Sequence, residues 1–143
     1  MSRSDDPGPA ERLAAELGLP VDDLGLLGQA LVHSSYLHEH PDGVAAHNER
    51  LEYLGDSVID VVIAEALYRR FPDDDEGTLS ARRAAIVSTA GLAALAARID
   101  LGSYVLLGEG EASGSARRRP SLLASTLEAL VGALYLDLGF AAA

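Results

Sequence analysis

The sequence predicts an all-α domain. Apolar residues recur at helical spacing over most of the chain, and no two segments show the two-residue alternation of paired strands. The composition supports packing of helix on helix: 48% hydrophobic residues, dominated by Ala, Leu and Val, with aromatics at only 5%. A chain of 143 residues suits one compact unit.

Residues 1–9 are polar, contain two prolines and are expected to form a disordered N-terminal tail, leaving 10–143 as the domain. Helical periodicity begins near Ala10, pauses at "GLPVDDL" and resumes through "LGLLGQALVHSSYLHEH". The segment "PDGVAAH" reads as a loop. A long helix is expected from about Asn48 to Arg70, ended by "RFPDDDEG". Thr78 to Ala97 reads as a helix that Gly91 divides. "LGSYVLLGEGEASGSARRRP" is the least regular stretch, and a last apolar helix starts near Ser121.

That last helix is close to membrane-span length, but it holds Glu128 and, near its end, Asp137. A buried core helix is therefore expected, with no membrane partner. The N-terminus lacks the apolar stretch of a signal peptide, and the chain has no cysteine. Together these fit a cytoplasmic protein. All eleven basic residues are Arg against 22 acidic ones, a net charge of −11. This argues against passive nucleic-acid binding and against anionic membranes. It leaves open a metal-dependent enzyme or a merely soluble acidic domain.

"HNERLEYLGDSVID", residues 47–60, concentrates acids at the start of the long helix. With Glu49 at zero and steps of about 100°, Glu52, Asp56 and Asp60 fall at about 300°, 340° and 20°. Leu51, Leu54, Val58, Val61 and Val62 fall between about 120° and 220°. The pattern is an apolar face opposite an acidic one. A solvated stripe would explain it, unless a second element brings ligands to the same place.

The last helix offers such an element. Glu128 is the one charged side chain between Ser121 and Leu136, and a carboxylate among leucines needs a partner, a proton or a metal. Ala124 and Gly132 leave space beside it. A salt bridge to Arg50 or Arg83 is the structural alternative. Carboxylates without Cys and with little His select hard cations such as Mg²⁺ or Mn²⁺. Those cations serve phosphodiester hydrolysis. The four histidines, His33, His38, His40 and His47, crowd the first loop and are not read as a zinc site.

These motifs resemble the endonuclease domain of the ribonuclease III family. "HNERLEYLGDSVID" is similar to the family signature, and "ALVHSSYLHEHP", "FPDDDEGTLSARRAAIVS", "LGEGEASGSARRRPSLLAS" and "LEALVGALYLDLG" follow the family's order around it. The resemblance implies the family's homodimeric helical fold, with double-stranded RNA as partner. It implies Mg²⁺-dependent cleavage by a metal-activated water, with Mn²⁺ able to substitute and no small-molecule cofactor. The products would be staggered 5′-phosphate and 3′-hydroxyl ends, in processing of ribosomal and messenger RNA. By motif position, Glu52, Asp56 and Glu128 would hold the metal, and Asp56 and Glu128 would be catalytic. Glu49, Glu76 and Arg117–Arg119 would support the site or contact RNA.

Two departures from the family pattern stand out. Ser125 occupies a position where members commonly carry an Asp ligand, and it would reach the metal only through a water. That leaves a rival, a weakened or non-catalytic dimeric relative that binds RNA or acts as a scaffold. The chain also stops at "LGFAAA", where members usually continue into a helix, a linker and a basic double-stranded-RNA-binding domain. A truncated domain with weak, salt-sensitive RNA binding is expected.

Overall fold

The computed structural model describes residues 6–42, 46–110 and 114–143. The chain orders as α1 (Pro9–Leu17), α2 (Leu24–Ala30), α3 (Ser34–Glu39), α4 (Glu49–Arg70), α5 (Glu76–Val87) and α6 (Thr89–Arg98). A 3₁₀ turn at Leu101–Tyr104, the short α7 (Gly114–Arg117) and α8 (Pro120–Leu138) complete it. Among the described residues there is no strand, only an isolated parallel bridge between Val32 and Leu106. The all-α expectation holds. Of the expected tail, residues 1–5 lie outside the described ones, and Pro9 already opens α1, where its missing N–H costs nothing.

Helix α8 is the hub, with α4, α6, α2 and the 3₁₀ turn packed around it. By length and composition it is apolar enough to cross a membrane, yet half of it is buried inside the protein. Leu123, Leu130 and Leu134 join Leu13, Leu27, Leu31, Ala96 and Leu101 in the main core. The acid at its end has a structural use: the Asp137 carboxylate accepts from the Asp22 and Asp23 backbone N–H groups at 3.0 and 3.1 Å, tying α8 to the start of α2.

The joint between α5 and α6 falls at Ser88 rather than Gly91. The Ser88 hydroxyl accepts from Gly91 N–H at 3.0 Å and donates to the Ala85 carbonyl at 2.9 Å, so one side chain serves both helix ends. Gly91 lies inside α6, where a Cβ would overlap the Ile86 carbonyl. Its small size permits the tight joint but does not make the break.

The α4–α8 crossing decides where the acids go. A Cβ on Gly55 would overlap the Glu128 carbonyl, and one on Gly132 would overlap the Leu51 carbonyl. The two backbones therefore touch directly. The space expected beside Glu128 at Gly132 is filled by main chain. The contact also turns α4: its buried residues are Leu51, Gly55, Val58, Ile59 and Leu67, whereas Val61, expected on the apolar face, is 54% exposed. Gly55 and Ile59 stand at about 240° and 280° on the same wheel. Glu52 and Asp56 thus border the buried face instead of opposing it.

Gly55→Ala is expected to cost about 1–3 kcal/mol by overpacking this crossing, read as a lower urea midpoint. Ser88→Ala should cost about 1 kcal/mol through loss of the cap.

Candidate carboxylate site at the helix crossing

The start of α4 is fixed by Asn48, which is 5% exposed. Its side-chain amide donates to the Ala30 carbonyl at 2.9 Å and its backbone N–H to the Val32 carbonyl at 3.0 Å. The first turn beyond it carries Glu49 and Glu52, where the positive end of the helix dipole favours anions. Glu49 is exposed, and its carboxylate lies 3.8 Å from His47 Nε2.

One turn further, the crossing brings Asp56 against Glu128. Burial, and a hydrogen bond that the protonated Glu128 carboxyl donates to the Asp56 carboxylate, push the Glu128 pKa up to about 8, and the charges of Asp56, Glu52 and Asp60 add to the rise. The ion pairs found among the described residues are His47–Glu49, Arg69–Glu65 and Arg82–Asp74. The alternative of a salt bridge from Glu128 to Arg50 or Arg83 is therefore not realised. Glu128 meets other acids instead.

Glu52 and Asp56, far from Glu128 in sequence, act on it in the fold. Asp60 joins them electrostatically; its place in the acidic stripe was visible in the sequence, but its role beside Glu128 was not. Asn48 was also missed: its side chain does not cap α4 but reaches back to the Ala30 carbonyl, a contact that leaves no local signal. Among the described residues no three His, Asp or Glu side chains form a ready coordinating array. The donor set is nonetheless oxygen-only and anionic, as a hard cation requires.

Ser125 lies one turn before Glu128 and opens on a polar cavity of about 170 Å³, lined also by Ser34, Glu49, Glu52, Arg119 and Ser121. Glu76 is exposed at the first position of α5 and is not among the groups that shift Glu128. Arg117 is occupied by the fold: its Nη1 donates to the Val105 and Gly102 carbonyls at 2.6 and 3.1 Å. Arg118 is exposed, and Arg119 borders the cavity at the start of α8. Ser113, in the Gly/Arg block, lies outside the described residues.

The comparisons with known proteins bear on this all-helical domain as a whole. The "Ribonuclease-III-like" family model matches residues 23–143. Ribonuclease 3 of Heliobacterium modesticaldum is 47% identical over 135 residues, 94% of this chain and 57% of that protein. Ribonuclease 3 of a Roseiflexus species is 49% identical over 132 residues, 90% of this chain and 55% of that protein. Two solved structures of the ribonuclease III nuclease domain from Campylobacter jejuni superpose with TM-scores of 0.80 and 0.82 at 38% identity. They cover 92% of this chain and 85% and 87% of theirs, and the second is described for flexibility in a region involved in dimer formation. The chain belongs to the ribonuclease-III-like family. It spans a little over half the length of these curated relatives.

The raised Glu128 pKa has a definite consequence for stability. Folded Glu128 retains a proton up to about pH 8, while the unfolded group releases it near 4.5. The contribution is complete below the lower value and is lost as pH rises through the upper one. In metal-free buffer the urea midpoint is expected to carry this downward component between about pH 5 and pH 8. Glu128→Gln, which cannot ionise, should remove it.

Proposed function

We propose that this chain is a divalent-metal-dependent endoribonuclease domain that cleaves double-stranded RNA as a homodimer. The observation that carries the reading is Glu128, the lone charge of an apolar helix, set against Asp56 with Glu52 and Asp60 near enough to raise its pKa. Anions crowded at that cost are the mark of a place where positive charge is expected. Relatives named Ribonuclease 3 support the enzyme reading over a non-catalytic scaffold.

Glu52, Asp56 and Glu128 would hold Mg²⁺ or Mn²⁺. Bound there, such an ion lowers the pKa of water and draws charge off phosphoryl oxygens. The chain's own part is positional. The glycine crossing fixes Asp56 relative to Glu128, and Asn48 fixes the turn that presents Glu52. Proton release from Glu128 supplies the second carboxylate of the pair. Arg118 and Arg119, with Glu49 and Glu76 at exposed helix starts, are the side chains proposed to meet RNA. A role in RNA processing in the cytoplasm follows from the same reading.

A second copy would dock on the exposed apolar surface where Tyr53, 81% exposed, stands near Leu26, Leu37, Leu54 and Leu136. Exposed patches of this kind mark association sites. The dimer formation described for the Campylobacter domain supports a homodimer.

The wild-type chain is expected to cut a long RNA duplex with Mg²⁺ or Mn²⁺. Glu128→Ala should lower the rate by more than ~100-fold, beyond the usual cost of losing a metal's outer-shell partner. Absence of cleavage at high enzyme and Mn²⁺ would remove the enzyme reading. Survival of most activity in Glu128→Ala would remove that residue from the site. Tyr53→Asp should shift the chain from dimer to monomer in sedimentation, and an unchanged dimer would place the interface elsewhere.

A further inference from the structure

Arg117 takes no part in the carboxylate site, yet its contacts lead there. Its Nη1 donates to the Gly102 and Val105 carbonyls at 3.1 and 2.6 Å. A Cβ on Gly102 would overlap the Arg117 carbonyl. Side chain and main chain thus grip the same 3₁₀ turn and the residue after it.

From Val105 the hydrogen bonds run in series through two peptide groups. The peptide whose carbonyl receives Arg117 carries the Leu106 N–H, which donates to the Leu31 carbonyl at 2.8 Å. The Leu106 carbonyl accepts from the His33 N–H at 3.0 Å. That N–H belongs to the Val32–His33 peptide, whose carbonyl accepts from the Asn48 N–H at 3.0 Å. The Asn48 carbonyl in turn accepts from the Glu52 N–H at 2.9 Å. A peptide group is planar, so holding its carbonyl also aims its N–H. The guanidinium charge polarises the first peptide and strengthens its N–H as a donor. Val32, Val105 and Asn48 are at most 5% exposed, and a polar group orphaned there is costly.

We propose that Arg117 is a positioning residue for the acidic turn of α4. It sets the Val105–Leu106 peptide, through which Val32 and Asn48 hold the backbone of Glu52. Its effect on a cation rests on the metal-site reading above. Arg117 touches neither cation nor RNA in this role. Its positive charge opposes a cation, so its contribution to metal binding comes through geometry alone.

The test compares Arg117→Met with the wild-type chain of 143 residues. Mn²⁺ binding, followed by the electron spin resonance of free Mn²⁺, is expected to weaken about tenfold, the lower end of what losing an outer-shell partner costs. Amide hydrogen exchange is expected to quicken about tenfold at Leu106, Asn48 and Glu52, while Leu92 in α6 keeps its rate. Ser88→Ala, weakened at the α5–α6 joint, should leave Mn²⁺ binding unchanged. Unchanged or tighter Mn²⁺ binding in Arg117→Met would overturn the proposal. Equal quickening of all four amides, the mark of general destabilisation, would overturn it too. Absence of Mn²⁺ binding by the wild type would instead overturn the metal reading, and the exchange rates would then decide the relay alone.

Discussion

Everything at the centre of this protein depends on two helices whose backbones touch. Gly55 and Gly132 bring the main chains of α4 and α8 into contact at the carbonyls of Glu128 and Leu51. No side chain separates them, so the approach is set by backbone dimensions rather than by rotamers. Asp56 follows one of these glycines, and Glu128 supplies one of the facing carbonyls. The contact that closes the core therefore also sets the separation of the acids. Burial first, and then the neighbouring acids, hold the Glu128 pKa above the usual carboxylate range.

The charge distribution is economical in a chain with 22 acids and 11 arginines. Several acids serve local structure: Asp137 binds the backbone at α2, Asp23 and Asp75 cap α2 and α5, and Asp74 holds Arg82 over the Phe71 ring. The Thr78 N–H lowers the Asp75 pKa. Four others meet at the crossing, where Glu52, Asp56 and Asp60 act on Glu128. An overall negative charge and a concentrated negative site are different facts, and the second bears on chemistry.

Much of this was legible in the sequence. Helical period located the long helices, and an isolated acid among leucines singled out Glu128. The motif order around it named the family. What periodicity could not supply was the rotation of α4. A wheel treats glycine as neutral, whereas Gly55 is the point of closest approach and pulls the buried face toward the acids; that is why Val61 emerged exposed. Glycine was misread again at Gly91, because weak helix propensity is local and the Ser88 cap that breaks the helix uses two hydrogen bonds. Arg117 read as a cation for phosphate because carbonyls 12 and 15 residues away leave no trace in composition.

Asn48 carries a consequence for how the molecule opens. Its backbone and side chain both bond to carbonyls at the end of α2, and it is sealed from water. The amide can exchange its hydrogen with solvent only when α2 and α4 part. The turn holding Glu49 and Glu52 is thereby joined to the N-terminal helices in one cooperative unit. Loosening the early helices dissolves the acidic turn with them, and the centre has no independent existence as a peptide motif.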